Sequence, residues 1–310
     1  MHEEYLDPIN STYLIEHEKL LNDLIKLYEI KKLPKTLLFS GQKGIGKFTL
    51  ALHLLNYIFD KDNYDLKRMF INRRSSFSNQ IKANICENII IISNNKKNNK
   101  IDQIRELKLI LSKTTLNKKP RFIILDEIEI FNNNSLNSIL KTLEEPTENT
   151  YFILINNRQK DLLETIKSRS VEFNIFINSK SRKNIIQTFI KNYEIEQIIK
   201  YHDTNISPGD YLVFNSVCNM HNIDFMHDYL PNIDKCLKLY KKNKDITFMN
   251  IALYITDIYF FSLAIKDLNN IYKTNNLKNK IIKTLNDLIS YNLNLNTVLN
   301  IIYSQFNYEK

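Results

Sequence analysis

Apolar residues in the first half of the chain gather into short unbroken runs, with helically spaced stripes between them. The runs are "TLLFS" (36–40), "NIIIIS" (88–93), "RFIILDE" (121–127), "YFILINN" (151–157) and "VEFNIF" (171–176). The first four are short and continuous, the pattern of a buried strand, and "VEFNIF" reads as a last strand. The stripes predict helices. One covers Leu14–Tyr28, with Leu14, Leu20, Leu21, Leu24 and Leu27 mostly at helical spacing and Pro34 ending the segment. Others cover Lys47–Phe59, then Asp102–Lys113 with Ile104, Leu107, Ile110 and Leu111 inward, then Ser135–Leu143 ahead of Pro146, then "KDLLETIKSRS" (160–170). Residues 60–86 read as polar and irregular, and "NNKKNNK" (94–100) as a low-complexity loop.

Strands alternating with helices predict βαβ units and a parallel sheet. The strand signal stops near Ile177, and the rest reads as helices joined by short Asn-rich connections. The expected fold is α/β followed by all-α. The stretch Ile246–Ile265 is apolar enough to suggest a membrane span, yet Asn250 and Asp257 lie inside it. A central Asp costs about 2.5–3.5 kcal/mol to insert, so this stretch predicts a buried helix and no membrane role.

Composition adds bounds. The chain has 310 residues, 43% hydrophobic, with four Gly and six Pro, enough for two or three domains with real cores. The net charge of +9 suggests nucleic acid or an anionic surface. However, eight Arg stand against 35 Lys, and Asn and Ile abound, as AT-rich coding would produce regardless of function. Cys86, Cys218 and Cys236 are scattered and odd in number, which fits a reducing cytosol rather than a disulfide framework. Cys218, His221, His227 and Cys236 match no standard zinc spacing. The acidic, polar start "MHEEYLDPIN" is no signal peptide. A cytoplasmic location is expected.

The chemistry-bearing stretch is "GQKGIGKF" (41–48), which holds three of the four glycines. Gly41, Gly46 and Lys47 fit the phosphate-loop pattern G-x-x-x-x-G-K between a strand and a helix. Gly41, Gly44, Ile45, Gly46, Lys47, Phe48 and Thr49 are the candidate nucleotide-binding residues. Glycines let backbone N–H groups face one centre, the helix adds its positive end, and Lys47 meets the β- and γ-phosphates. The pattern normally continues with Ser or Thr, whose hydroxyl binds Mg²⁺. Phe48 stands there instead, and Thr49 points about 100° away around the helix. ATP or ADP fits this loop, without a properly held Mg²⁺. Asp126 and Glu127 end one strand, and Asn156 and Asn157 another, at the edge where α/β sheets bind ligands. Arg169 sits at a predicted helix end. In "SPGDYL", Ser207 and Pro208 read as an N-cap and first helical position, with Asp210 in the first turn.

Taken in order, "EHEKLLNDLIKLYEIKKLPKTLLFSGQKGIGKFTLA", "IDQIREL", "RFIILDEIEIFNNNSLNSILKTLEEPTENTYFILINN" and "LLETIKSRS" resemble the bacterial clamp-loader family of AAA+ proteins. The likeness covers about residues 13–176, and "SPG" beyond. It implies an AAA+ P-loop α/β domain at 1–176, a small helical lid at 177–212 and a helical collar at 213–310. It also implies that Arg169, in "SRS", reaches a neighbouring subunit's ATP in trans. Two subunit types of that family fit. The ATP-hydrolysing gamma/tau-like motor keeps G-K-[ST] and a cationic residue where this chain has Asp210. The delta-prime subunit of DNA polymerase III tolerates both losses, so the resemblance is to delta-prime. Implied partners are the delta and gamma/tau loader subunits, and through them the sliding clamp and primer-template DNA. The four-cysteine zinc module of many relatives is missing, because residues 60–100 contain only Cys86; no zinc is expected. Ser170 replaces the last Cys of that block. An active ATPase with a deviant loop and a DNA-binding module of recombination or repair are the competing readings.

Overall fold

The computed structural model describes residues 4–93, 107, 109, 111, 119–147, 149–201, 204–224 and 228–307. The loop expected at 94–100 and most of the helix expected at 102–113 lie outside the described residues. By internal contacts the chain divides into two units. One is Met1–Tyr193 with Ser207–Asp210, and the other is Glu194–Ile206 with Tyr211–Lys310.

Among its described residues the first unit carries seven strands: β1 (Thr36–Ser40), β2 (Tyr64–Asp65), β3 (Phe70–Ile71), β4 (Ile89–Ile92), β5 (Arg121–Leu125), β6 (Thr150–Asn156) and β7 (Val171–Asn174). Five form one sheet in the order β4-β5-β6-β1-β7, every pairing parallel. Its helices are α1 (Glu18–Glu29), α2 (Lys47–Phe59), α3 (Ser76–Lys82), α4 (Asn133–Glu144), α5 (Glu164–Lys167) and α6 (Ser179–Tyr193). Every residue of β1 and β5 is buried, as the unbroken apolar runs require of a sheet covered on both faces. Alternation sorts the side chains. Leu37, Phe39, Phe122, Ile124, Ile153 and Ile155 face one core with Leu21 and Leu24 of α1 and Leu50 and Leu54 of α2. Leu38, Ile123, Leu125, Phe152 and Leu154 face the other, with Leu136, Ile139 and Leu143 of α4. Leu107 is buried there too, and Leu111 packs against it.

Three expectations need correction. The first helix starts at Glu18, not Leu14, because residues 12–14 are extended against β3. Leu14 N donates to Met69 O (3.1 Å), and Ile71 N to Thr12 O (2.9 Å). Residues 60–86 are not irregular: they hold the β2–β3 pair and α3, capped by the Ser75 hydroxyl accepting from Ser78 N. The helix read over 160–170 shrinks to the single turn of α5. Leu162 reaches the core from an extended lead-in, so its burial needs no helix there.

In the second unit, α7 (Pro208–His221) runs on from Tyr211, followed by α8 (Tyr229–Asn243), α9 (Ile246–Lys266), α10 (Ile271–Ser290) and α11 (Leu295–Asn307). Helix α9 is long and apolar enough to cross a membrane. Here one face of it, including Phe248, Met249, Ile251, Ile255 and Phe260, is buried, packed beside α8 and α10. Asp257 pairs with Lys278 of α10 at 2.7 Å. The expected buried helix is buried along one face, and its other side is not. Phe261 and Ile265 of α9, Leu268, and Tyr272 of α10 are exposed at 58%, 60%, 71% and 77%. Cys218 and Cys236 are free and buried, and burial pushes both thiols up. His227 lies outside the described residues; among those described, no His, Cys, Asp or Glu cluster is arranged to hold a metal ion.

Candidate nucleotide site

The glycine loop leaves the C-terminal end of β1 and turns into α2 at Gly46, whose φ of 93° is the left-handed conformation that glycine adopts without strain. Gly44, at φ 77°, is the other residue of the loop in that region. Register sets the loop against its neighbours. Ser40 pairs with Asn156 across β1–β6, and Gly41 N donates to Asn156 O at 3.1 Å. A Cβ on Gly41 would lie 2.2 Å from Ile175 O, so the loop sits flush on the sheet edge. This is the edge formed by strand C-termini, where the end of β5 delivers Asp126.

Lys47 is buried and bends back onto its own loop. Its Nζ donates to Gly41 O (2.7 Å) and Gln42 O (2.5 Å). Burial lowers its pKa to about 8, opposed by Asp126, Glu129 and Asp210. Lys43 pairs with Glu127 at 2.6 Å. Burial works against the Lys43 charge, but Glu127, with Asp210 and Asp126, outweighs it and raises the pKa. Asp126 is pushed up to about 6 by burial and by Glu127, although the Glu127 N–H, Lys43 and Lys47 pull the other way. Glu127 itself is held at φ 55°, a conformation non-glycine residues rarely adopt and one that clusters at functional sites.

Asn156 is buried and tied down, its side chain donating to Ser40 Oγ (3.3 Å) and accepting from Arg158 N (2.9 Å). Asn157 is buried beside it. Phe48, in the place of the metal-binding hydroxyl, packs against the core that includes α1 and α2. Thr49 is half-buried. Arg169 does not join this group. It follows α5 and binds Glu144, at the end of α4, through Nε at 2.5 Å and also through Nη2; its Nη1 donates to Thr165 O at 3.0 Å.

The structure adds residues the sequence did not single out. His17 is buried, and its Nε2 meets Ile45 O at 2.6 Å, so this nitrogen carries the proton. Arg158 follows Asn157 at φ 57°, hydrogen-bonds Asn174 and approaches Glu172 at 4.0 Å. Glu129 is buried, and neither carboxylate oxygen has a hydrogen-bond partner among the described residues. None of these has a motif spacing to betray it. Gly209 was readable only as the one glycine outside the loop, and it packs on Gly44: its N–H donates to Gly44 O at 2.8 Å. Ser207 caps α7 as the sequence suggests, accepting from Asp210 N (3.1 Å) and donating to Asp210 Oδ2 (2.8 Å).

The backbone curve suits a phosphate. The side chains suit one less well. Among the described residues, each of the three cations around the loop, Lys43, Lys47 and Arg158, already has an internal partner, and the residue after the loop lysine offers no hydroxyl to a magnesium ion.

The family model described as DNA polymerase III, delta subunit, matches residues 16–178. The chain is 25% identical over 217 residues to the DNA polymerase III subunit gamma of Buchnera aphidicola subsp. Schizaphis graminum, an alignment covering 70% of this chain and 55% of the relative. It is 22% identical over 223 residues to the subunit delta' of Buchnera aphidicola subsp. Baizongia pistaciae, covering 69% and 64%. It is 29% identical over 153 residues to the subunit delta' of Bacillus subtilis, covering 49% and 45%. The chain spans about half the length of the curated relatives it matches. Matched across its sheet, its glycine loop and the Arg169 block, the chain belongs to the DNA polymerase III delta subunit family.

Proposed function

We propose that this chain is a delta-prime-like subunit of a DNA polymerase III clamp loader, helping ATP-dependent loading of the sliding clamp onto primed DNA without hydrolysing ATP itself. It works in the cytoplasm as a stator among the delta and gamma/tau subunits and meets clamp and primer-template DNA through the complex. The observation that carries the non-hydrolysing role is the loop's own state. Lys47 is spent on Gly41 O and Gln42 O, and Phe48 is packed on the core where a hydroxyl would hold Mg²⁺. The glycine curve is of the ATP- or ADP-binding type, but its lysine is already committed to loop carbonyls; turnover belongs to the neighbours. Arg169 then acts in trans, its planar guanidinium meeting charge on a neighbour's γ-phosphate. A lid at 177–212 and a collar at 213–310 complete the domain plan, the collar joining the subunits.

The likeness to gamma subunits favours a second reading, an active ATPase with a deviant loop. Two measurements separate the readings. The isolated chain should show negligible ATP turnover, and a pull-down should recover the other loader subunits. Steady turnover near about 1 s⁻¹ that Lys47→Ala abolishes, or failure to join those subunits, rejects the proposal.

A further inference from the structure

The sequence spends its fourth glycine far from the other three, yet the fold brings all four together. The turn Ser207–Asp210 lies on the tip of the glycine loop. A Cβ on Gly44 would lie 2.2 Å from Ser207 Oγ and 3.0 Å from Asp210 N, and one on Gly209 would lie 2.7 Å from Gly44 Cα. Two of the backbone N–H groups that a phosphate would look for at this helix start are already committed, Gly209 N to Gly44 O and Asp210 N to Ser207 Oγ. The contact also delivers a carboxylate. Asp210 is held by the Ser207 hydroxyl within the electrostatic reach of both Lys43 and Lys47.

We propose that Asp210 is a tethered counter-anion, taking the electrostatic place of a nucleotide phosphate and keeping the glycine loop closed on its own chain. The charges around the loop support this. Lys43 is paired with Glu127, Lys47 with two loop carbonyls, and Arg158 with Asn174 and Glu172. Among the described residues, five carboxylates stand against these three cations: Asp126, Glu127, Glu129, Glu172 and Asp210. Among the described residues, a free triphosphate entering here meets only cations that already have partners, and its own charge is repelled by Asp210. Burial strengthens that repulsion, since charges interact more strongly away from water. Burial raises the Asp210 pKa, while the Ser207 hydroxyl, Lys43 and Lys47 favour its charged form. The loop is thereby a structural joint, and this inference stands whether or not the chain is a loader subunit.

The test is ATP binding to the full chain, by calorimetry in EDTA and again in magnesium chloride. The unaltered protein should bind ATP with Kd weaker than about 1 mM. Asp210→Asn should tighten binding at least about tenfold, Asp210→Arg further, and the gain should shrink as salt is added. Asp161→Asn, an exposed carboxylate outside the site, should change nothing. The idea is overturned if Asp210→Asn, shown folded by its unfolding midpoint, binds ATP no tighter, or if Asp161→Asn gives the same gain. It is equally overturned, with no variant needed, if the unaltered chain binds ATP or tripolyphosphate tightly and loses that affinity steeply with salt.

Discussion

Gly209 and Gly44 touch backbone to backbone. The Gly209 N–H donates to the Gly44 carbonyl at 2.8 Å, and a Cβ on Gly209 would lie 2.7 Å from Gly44 Cα and 3.0 Å from Gly44 O. Both neighbours in that contact are backbone, which cannot swing aside as a side chain end can. Gly209→Ala should therefore destabilise the protein by about 1–3 kcal/mol, the usual cost of overpacking. Urea unfolding checks it, with a lower midpoint and an unchanged slope. An unchanged midpoint means that the two turns move apart freely.

Arg169 and Glu144 give a second test, which separates fold from function. The pair is part-exposed, so breaking it with Glu144→Gln should cost under about 1 kcal/mol of stability. Arg169→Ala should leave assembly intact and lower the DNA- and clamp-stimulated ATPase of the reconstituted loader. The loss should be partial, because other sites in the ring keep their own arginines. Arg169→Lys should restore little of that ATPase, lacking the planar fork. Full ATPase and loading rates with Arg169→Ala reduce the residue to a helix-end charge.

Phe261 and Ile265 project from the unburied side of α9. If a neighbouring subunit covers that side, Phe261→Asp with Ile265→Asp should weaken assembly with the loader subunits by at least about tenfold, the scale of losing interface anchors. Because both side chains are exposed in the single chain, its own stability to unfolding should stay within about 0.5 kcal/mol of the original. Unchanged affinity on a loader pull-down or sedimentation assay removes these residues from the interface.

His53 makes stability depend on pH. It is fully buried in α2, with Nδ1 2.9 Å from the Tyr64 hydroxyl, and burial lowers its pKa to about 3. The unfolded chain takes up that proton near pH 6.5. The folded state therefore keeps His53 neutral where the unfolded state is protonated. Its full stability is present above pH 6.5 and is lost as pH falls towards 3, by about 3 kcal/mol between pH 7 and pH 4. His53→Gln, which does not titrate, should flatten that part of the pH profile in denaturant unfolding; an equal slope in both proteins contradicts the assignment.

Local pattern was enough to determine the five strands of the parallel sheet, the helix after the glycine loop, the caps at Ser207 and Pro208, and the glycine turn. Burial on both faces demands unbroken apolar runs, and a phosphate-loop turn demands glycines at fixed spacing, so both leave a mark in neighbouring residues. The family block around Arg169 was legible for the same reason. Other features depended on partners far away in the chain. Residues 12–14 looked like the start of a helix and are extended, because β3 satisfies their backbone hydrogen bonds. Helix α9 was legible as a buried helix, but which of its faces is buried was not, because composition does not tell which face meets a neighbour. Lys47 and Asp210 were both visible as letters. Only the tertiary structure decided that Lys47 turns onto its own loop and that Asp210 lies over it, since the contact of Gly209 with Gly44 joins positions 165 residues apart. No local pattern records such a pairing, and it is this pairing that brings the Asp210 turn onto the glycine loop.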